Sequence, residues 1–141
     1  MNVGIDFHGV IDLYPKFFSC YSKRMRAEGN TIHVITGMET ERVVPELEKL
    51  EISYDKIFSI VDWHKNLGTE MWQREKASGR KSWYCEEETW NKSKGDYIAK
   101  EFIQLHFDDT VIYSKYVPEY CTYILVPRIG FEIFAEYLLI L

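Results

Sequence analysis

The strongest constraint on the fold is a change of period that occurs twice before residue 37. Asn2 to Phe7 is a short, largely apolar run ending in a polar cluster, the pattern of a strand covered on both faces in a parallel sheet. Residues 15–28 place Phe17, Phe18, Tyr21 and Met25 at helical spacing, with Gly29 and Asn30 as the stop signal. Thr31 to Thr36 is apolar and β-branched again, and Gly37 breaks it. A strand, a helix and a strand within about thirty residues predict a right-handed crossover, which brings both strand C-termini to one edge of the sheet.

The alternation continues. Glu41 to Leu50 carries Val44, Leu47 and Leu50 on one face of a predicted helix, with Pro45 expected either in its first turn or at a kink. Lys56 to Asp62 predicts a third strand. Residues 63–92 are polar, with Trp63, Trp72, Trp83, Tyr84 and Trp90 scattered among charges; they predict a small insertion or lid, with a helix near 68–77 and an irregular loop. Gly95 to Gln104 predicts a helix that turns Ile98, Phe102 and Leu105 inward, and Leu105 to Phe107 a short strand running into Asp108 and Asp109. Thr110 to Tyr116 reads as a turn of helix and Thr122 to Val126 as a last strand. The apolar stretch from Gly130 to Leu141 predicts a final core helix, with an interaction surface as the alternative. Residues 1–141 therefore read as a single α/β domain, a doubly wound, mostly parallel sheet with helices on both faces. Ligands bind such sheets beyond the carboxyl ends of the strands.

Composition narrows the partners. With 46% hydrophobic and 28% charged residues the chain is globular, and a formal charge of −5 argues against holding a nucleic-acid polymer by summed positive charge. A single nucleotide or sugar phosphate stays compatible with it. Neither a basic leader nor a long apolar run is present in the first residues, so no membrane span and a cytoplasmic location are expected. Cys20, Cys85 and Cys121 form no C-x-x-C pair and are expected to be reduced.

Three polar signals fall at predicted strand ends: Asp6, Thr36, and Asp108 with Asp109. In a doubly wound sheet those ends face one crevice. Carboxylates gathered there repel each other unless a cation lies between them, and oxygen ligands without Cys or His suit Mg²⁺, which also contacts phosphate. A carboxylate attacking phosphorus needs the same cation.

The segments GIDFHGVID, VITG, SKGDYIAKEF and LHFDD resemble, in order, the four motifs of the haloacid dehalogenase (HAD) superfamily, and the stretch they span, from Gly4 to Asp109, is most of the chain. The resemblance implies a Rossmann-like HAD fold and a phosphatase, with the D-x-x-G-V opening similar to nucleotidase-like members. It implies that Asp6 is the nucleophile, that Thr36 and Gly37 bind the transferring phosphoryl, and that Lys94 neutralises it and orients Asp6. Mg²⁺ would be held by Asp6, Asp108 and the backbone carbonyl of His8, with Asp109 a direct contact or a neighbour of one. Lys92 is the alternative to Lys94 for the motif-three lysine, and an exposed helix-start lysine is the ordinary state of either.

His8 is the main departure, because most HAD phosphatases have Asp there as the acid/base. An imidazole can donate and accept protons near neutrality, so His8 is a candidate for that role on chemical grounds. The expected function is Mg²⁺-dependent cleavage of a small phosphorylated metabolite, with a nucleotide leading. The alternative is a catalytically weakened relative that sequesters such a ligand. A short lid leaves room for a second copy, a homodimer, to cover the site. His64 is expected as a polar loop residue, with reach to the crevice rim as the alternative; His33 and His106 are expected to be packed within strands. The aromatic cluster of the insertion is expected to pack it onto the domain, with stacking on a base as the alternative.

Overall fold

A computed structural model gives the structure of residues 1–128; the apolar stretch from Gly130 to Leu141 lies outside the described residues. The element order is β1 (Asn2–Ile5), α1 (Pro15–Ala27), β2 (Thr31–Thr36), α2 (Thr40–Lys49), β3 (Lys56–Ser59), α3 (Ile60–Leu67), β4 (Trp72–Glu75), β5 (Lys81–Tyr84), α4 (Glu87–Lys100), β6 (Ile103–Asp108) and β7 (Thr122–Leu125). Five strands form one sheet in the order β3-β2-β1-β6-β7, and every pairing in it is parallel. β4 and β5 pair only with each other, as an antiparallel hairpin. The fold is α/β and Rossmann-like.

Parallel strands buried on both faces need apolar side chains on both. Ile32 and Val34 of β2 join Val3, Ile5 and Phe107 in a core closed by Phe17 and Phe18 of α1 and by Val43 and Leu47 of α2. Ile35, one residue out of phase, points to the other face and packs with Phe58, Ile103, Ile60 of α3 and Ile98 of α4. Helices thus cover both faces. The chain adds β2 and β3 on one side of β1, then returns to place β6 on the other. That reversal between β1 and β6 is the switch point at which a doubly wound sheet opens a crevice.

The differences from expectation have local causes. The third strand ends at Ser59, whose hydroxyl accepts the Asp62 N–H at 3.1 Å and starts α3; the apolar pairs on either side, Ile57 with Phe58 and Ile60 with Val61, made one strand of what is a strand end and a helix start. No helix forms near 68–77. The hairpin of β4 and β5 stands there, closed by Lys76 N–H to Arg80 C=O at 2.8 Å. α4 begins at Glu87 and ends at Lys100, earlier than expected at both ends. Phe102 then adopts a left-handed φ of 52° and is 68% exposed, while Ile103 takes the buried place assigned to it. In α2 it is Val43, not Val44, that is fully buried, and Pro45 falls past the first turn, on the exposed side, where solvent can take the carbonyl its missing N–H releases. All three cysteines are free thiols. Among the described residues no helix is long and apolar enough to cross a membrane.

Candidate active site

Asp6 follows the last residue of β1, and its N–H bonds Phe107 C=O of β6 at 2.9 Å, which pins it at the switch point. Its Oδ1 accepts the Phe7 N–H at 2.8 Å. The chain then makes a tight helical turn over Phe7–Ile11, in which His8 is extended and Gly9 has φ 76°. A Cβ on Gly9 would overlap the Asp109 carboxylate, so this position needs glycine for its backbone angle and for its neighbour. Asp12 ties the turn down, accepting the Gly9 N–H at 2.7 Å on one oxygen and pairing with His8 Nδ1 at 3.0 Å on the other. The His8 ring is otherwise open to solvent, its side chain 78% exposed.

Thr36 closes β2. It is buried, and its Oγ1 accepts the Met38 N–H at 3.1 Å, turning the chain at Gly37 and leaving the hydroxyl proton for another acceptor. An added Cβ at Gly37 would lie 3.1 Å from the Trp90 ring.

Lys94 projects from α4 to the same edge and is 2% exposed. Its ammonium lies 2.8 Å from Asp108 Oδ2 and 3.2 Å from Asp6 Oδ1, and 4.6 Å over the Tyr113 ring. Lys92 points to solvent. Gly95, next along α4, is in close contact with the Tyr116 carbonyl, which lets the helical turn Val111–Tyr116 press Tyr113 onto the site. Asp108 is fully buried: Oδ2 also accepts from His106 Nε2 at 3.0 Å, and Oδ1 accepts the Thr110 N–H at 3.1 Å. Asp109 is half-buried beside Gly9. One oxygen from each of Asp6, Asp108 and Asp109 lies within 4.8 Å of the others.

Burial pushes the Asp6 carboxyl well above the usual range; Lys94 opposes this, and the charges of Asp108 and Asp109 reinforce it. At Asp108 burial acts in the same direction but is outweighed by Lys94 and His106, which hold it below the ordinary value. Burial would strip the proton from Lys94, yet the two carboxylates outweigh it and keep the amine charged. Burial lowers the affinity of His106 for a second proton. The bond to Asp108 and the Gly4 backbone oppose that effect, and a neutral ring gives its Nε2 hydrogen to Asp108 with Nδ1 buried against Gly4. Three carboxylates thus face one ammonium, an excess of two negative charges when all ionise. A hard divalent cation matches that charge and those oxygen donors, and each carboxylate has lone pairs to spare for it.

The site opens into a cavity of about 320 Å³ with Asp6, Thr36, Lys94 and Asp109 in its wall. Trp83 and Tyr84 of the hairpin, Trp90 of α4 and Tyr113 form its apolar side. Trp63 and Trp72 do not reach it: Trp63 packs 5.8 Å from the Phe58 ring, and Trp72, 39% exposed, lies under the Arg74 guanidinium. The insertion therefore divides its aromatic residues between packing and the cavity.

His64 is neither a loop residue nor on the rim. It is buried in α3, bonded to Ser93 at 2.6 Å and Thr69 at 2.9 Å, and clips α3 to α4. His33 is packed as expected, bonded to Tyr97 at 2.8 Å. His106 is packed too, but its bond to Asp108 makes it part of the site. The signal was available, since residues two apart on a strand share a face. Tyr113, Asp12, Lys76 and Arg80 carried no comparable signal. Comparison with known proteins finds no matching family model, no matching curated protein and no matching solved structure.

Proposed function

We propose that this chain is a Mg²⁺-dependent phosphohydrolase of the HAD type, acting on a small phosphorylated metabolite, with a nucleotide as the substrate class. The observation that carries the reading is the Lys94 ammonium in contact with both Asp6 and Asp108 at the sheet edge where Thr36 meets an open cavity. The aromatic wall supports the nucleotide.

Asp6, Asp108, Asp109 and the backbone carbonyl of His8 are the groups that would hold Mg²⁺. The cation supplies charge neutralisation and Lewis acidity at the phosphoryl oxygens. In the first step Asp6 attacks phosphorus in line and forms an aspartyl-phosphate; the bond to the leaving oxygen breaks, and His8 gives that oxygen a proton. In the second, water gives a proton to His8 and displaces the Asp6 carboxylate from phosphorus, releasing phosphate. Thr36 donates its hydroxyl proton to the transferring group, and Lys94 offsets its charge while fixing Asp6.

The test is phosphate release across a panel of nucleotides and sugar phosphates, with Mg²⁺ and with chelator. Wild type should release phosphate only with the cation, and Asp6→Asn should release none. Equal turnover by the Asn variant rejects the mechanism. A second reading, retention of a phosphorylated ligand without cleavage, draws on His8, whose Nδ1 is engaged by Asp12 and whose ring is bulkier than the acid it replaces. Tight binding of a nucleotide without phosphate release across the panel would favour it.

A further inference from the structure

We infer that the β4–β5 hairpin builds a second anion subsite, and that the substrate is a nucleoside carrying two phosphoryl groups, one processed at Asp6 and the other held by Lys76 and Arg80. This rests on the phosphohydrolase reading and adds a specificity to it. The hairpin contributes little to the core: all four residues of β4 are exposed, and an isolated two-stranded hairpin is marginal in water. What it brings is a wall of the cavity. Lys76 and Arg80 flank its turn and line that cavity, together with Trp83 and Tyr84.

The charges of these two residues are uncommitted. In a chain with net charge −5, neither makes an ion pair with a described residue. Arg42, also in the wall, is instead paired with Glu39 at 3.4 Å. Lys94 is taken up by Asp6 and Asp108. The deep end is thus provided for a single phosphoryl group by Thr36, Lys94 and a cation, and two further cations face the same space. A cavity of about 320 Å³ holds a small organic molecule and not merely one phosphate. Trp83 and Tyr84 line the same cavity; Lys65 covers one face of Trp83 at 4.8 Å and Arg74 one face of Tyr84 at 5.3 Å, so a base would stack on the faces these leave open.

The experiment compares equilibrium binding of AMP, adenosine 3′,5′-bisphosphate and ADP in chelator, where no turnover is expected, read by calorimetry and by tryptophan fluorescence, with phosphate release in Mg²⁺ measured in parallel. Wild type should bind at least one doubly phosphorylated ligand on the order of tenfold tighter than AMP, the scale of a charge-assisted contact. Which of the two is preferred separates a 3′ phosphate from a β phosphate. In the Lys76→Ala/Arg80→Ala variant, checked for folding by circular dichroism, the ratio should fall to near one. Equal binding of all three ligands by wild type overturns the subsite, as does a preference that survives the double substitution. A preference without phosphate release leaves the subsite standing and removes the hydrolase; release without preference does the reverse.

Discussion

Asp6→Asn should make the metal-free protein more stable while removing its chemistry. At an effective dielectric near 20, the Lys94 ammonium 3.2 Å away attracts the Asp6 carboxylate by about 5 kcal/mol. Asp108, with an oxygen within 4.8 Å, repels it by at least about 3.5 kcal/mol, and half-buried Asp109 adds up to a similar amount. Taking the carboxylate out of water costs several kcal/mol more, in the order of magnitude usual for buried ions. A net penalty of at least about 2 kcal/mol follows. Asn keeps an oxygen for the Phe7 N–H and leaves Lys94 paired with Asp108. Thermal unfolding in chelator should therefore rise by roughly 5 °C or more in the variant. Because the Asp6 carboxyl is raised in the folded state, its contribution is present below the unfolded value and is lost as pH rises through the folded one. Metal-free wild type should gain on the variant as pH falls from neutral toward about 4. Asp108, held low, adds stability above its unfolded value that is lost only at stronger acidity. With Mg²⁺ the order should invert, since wild type has a carboxylate for the ion and the variant does not. A lower melting temperature for Asp6→Asn in chelator would refute the charge argument.

Three further outcomes are expected. Lys94→Ala leaves Asp108 buried without its main counter-charge and should lose about 3–5 kcal/mol in urea unfolding, whereas Lys92→Ala should stay within about 0.5 kcal/mol of wild type. Gly9→Ala places a methyl on the Asp109 carboxylate at a left-handed φ, so it should destabilise by about 1–3 kcal/mol in the same assay and lower phosphate release. His8→Asp should keep or raise phosphate release and His8→Ala should lower it on the order of a hundredfold; equal rates would remove His8 from the chemistry.

What could be read in advance followed the parallel sheet. Asp6, Thr36 and Asp108 each end a buried, apolar run abruptly, and buried parallel strands state their ends clearly. Lys94 was readable as a candidate but not against Lys92, because that choice depends on helix phase. α4 begins behind Glu86, whose carboxylate accepts the Glu88 and Thr89 N–H groups, and Glu is not a residue that announces a helix start. Once that start is fixed, Asn91, Lys94 and Ile98 form one buried stripe and Lys92 faces outward. The hairpin was unreadable for the opposite reason: β4 is exposed on both faces, so no alternation marks it. Phe102 and Ile103 exchanged places because a left-handed residue other than glycine ends the helix, and nothing in its side chain signals that.

The proposed chemistry depends on one arrangement, in which the Asp6 and Asp108 carboxylates would share a divalent cation beside Lys94. The most direct measurement is a crystal structure grown with Mg²⁺ and beryllium fluoride as a phosphoryl mimic. It should place one ion at about 2.0–2.1 Å from an oxygen of each carboxylate, with the mimic on Asp6 and within reach of Thr36. Density showing the two carboxylates bridged by Lys94 alone, with the ion and the mimic bound elsewhere or not at all, would contradict it.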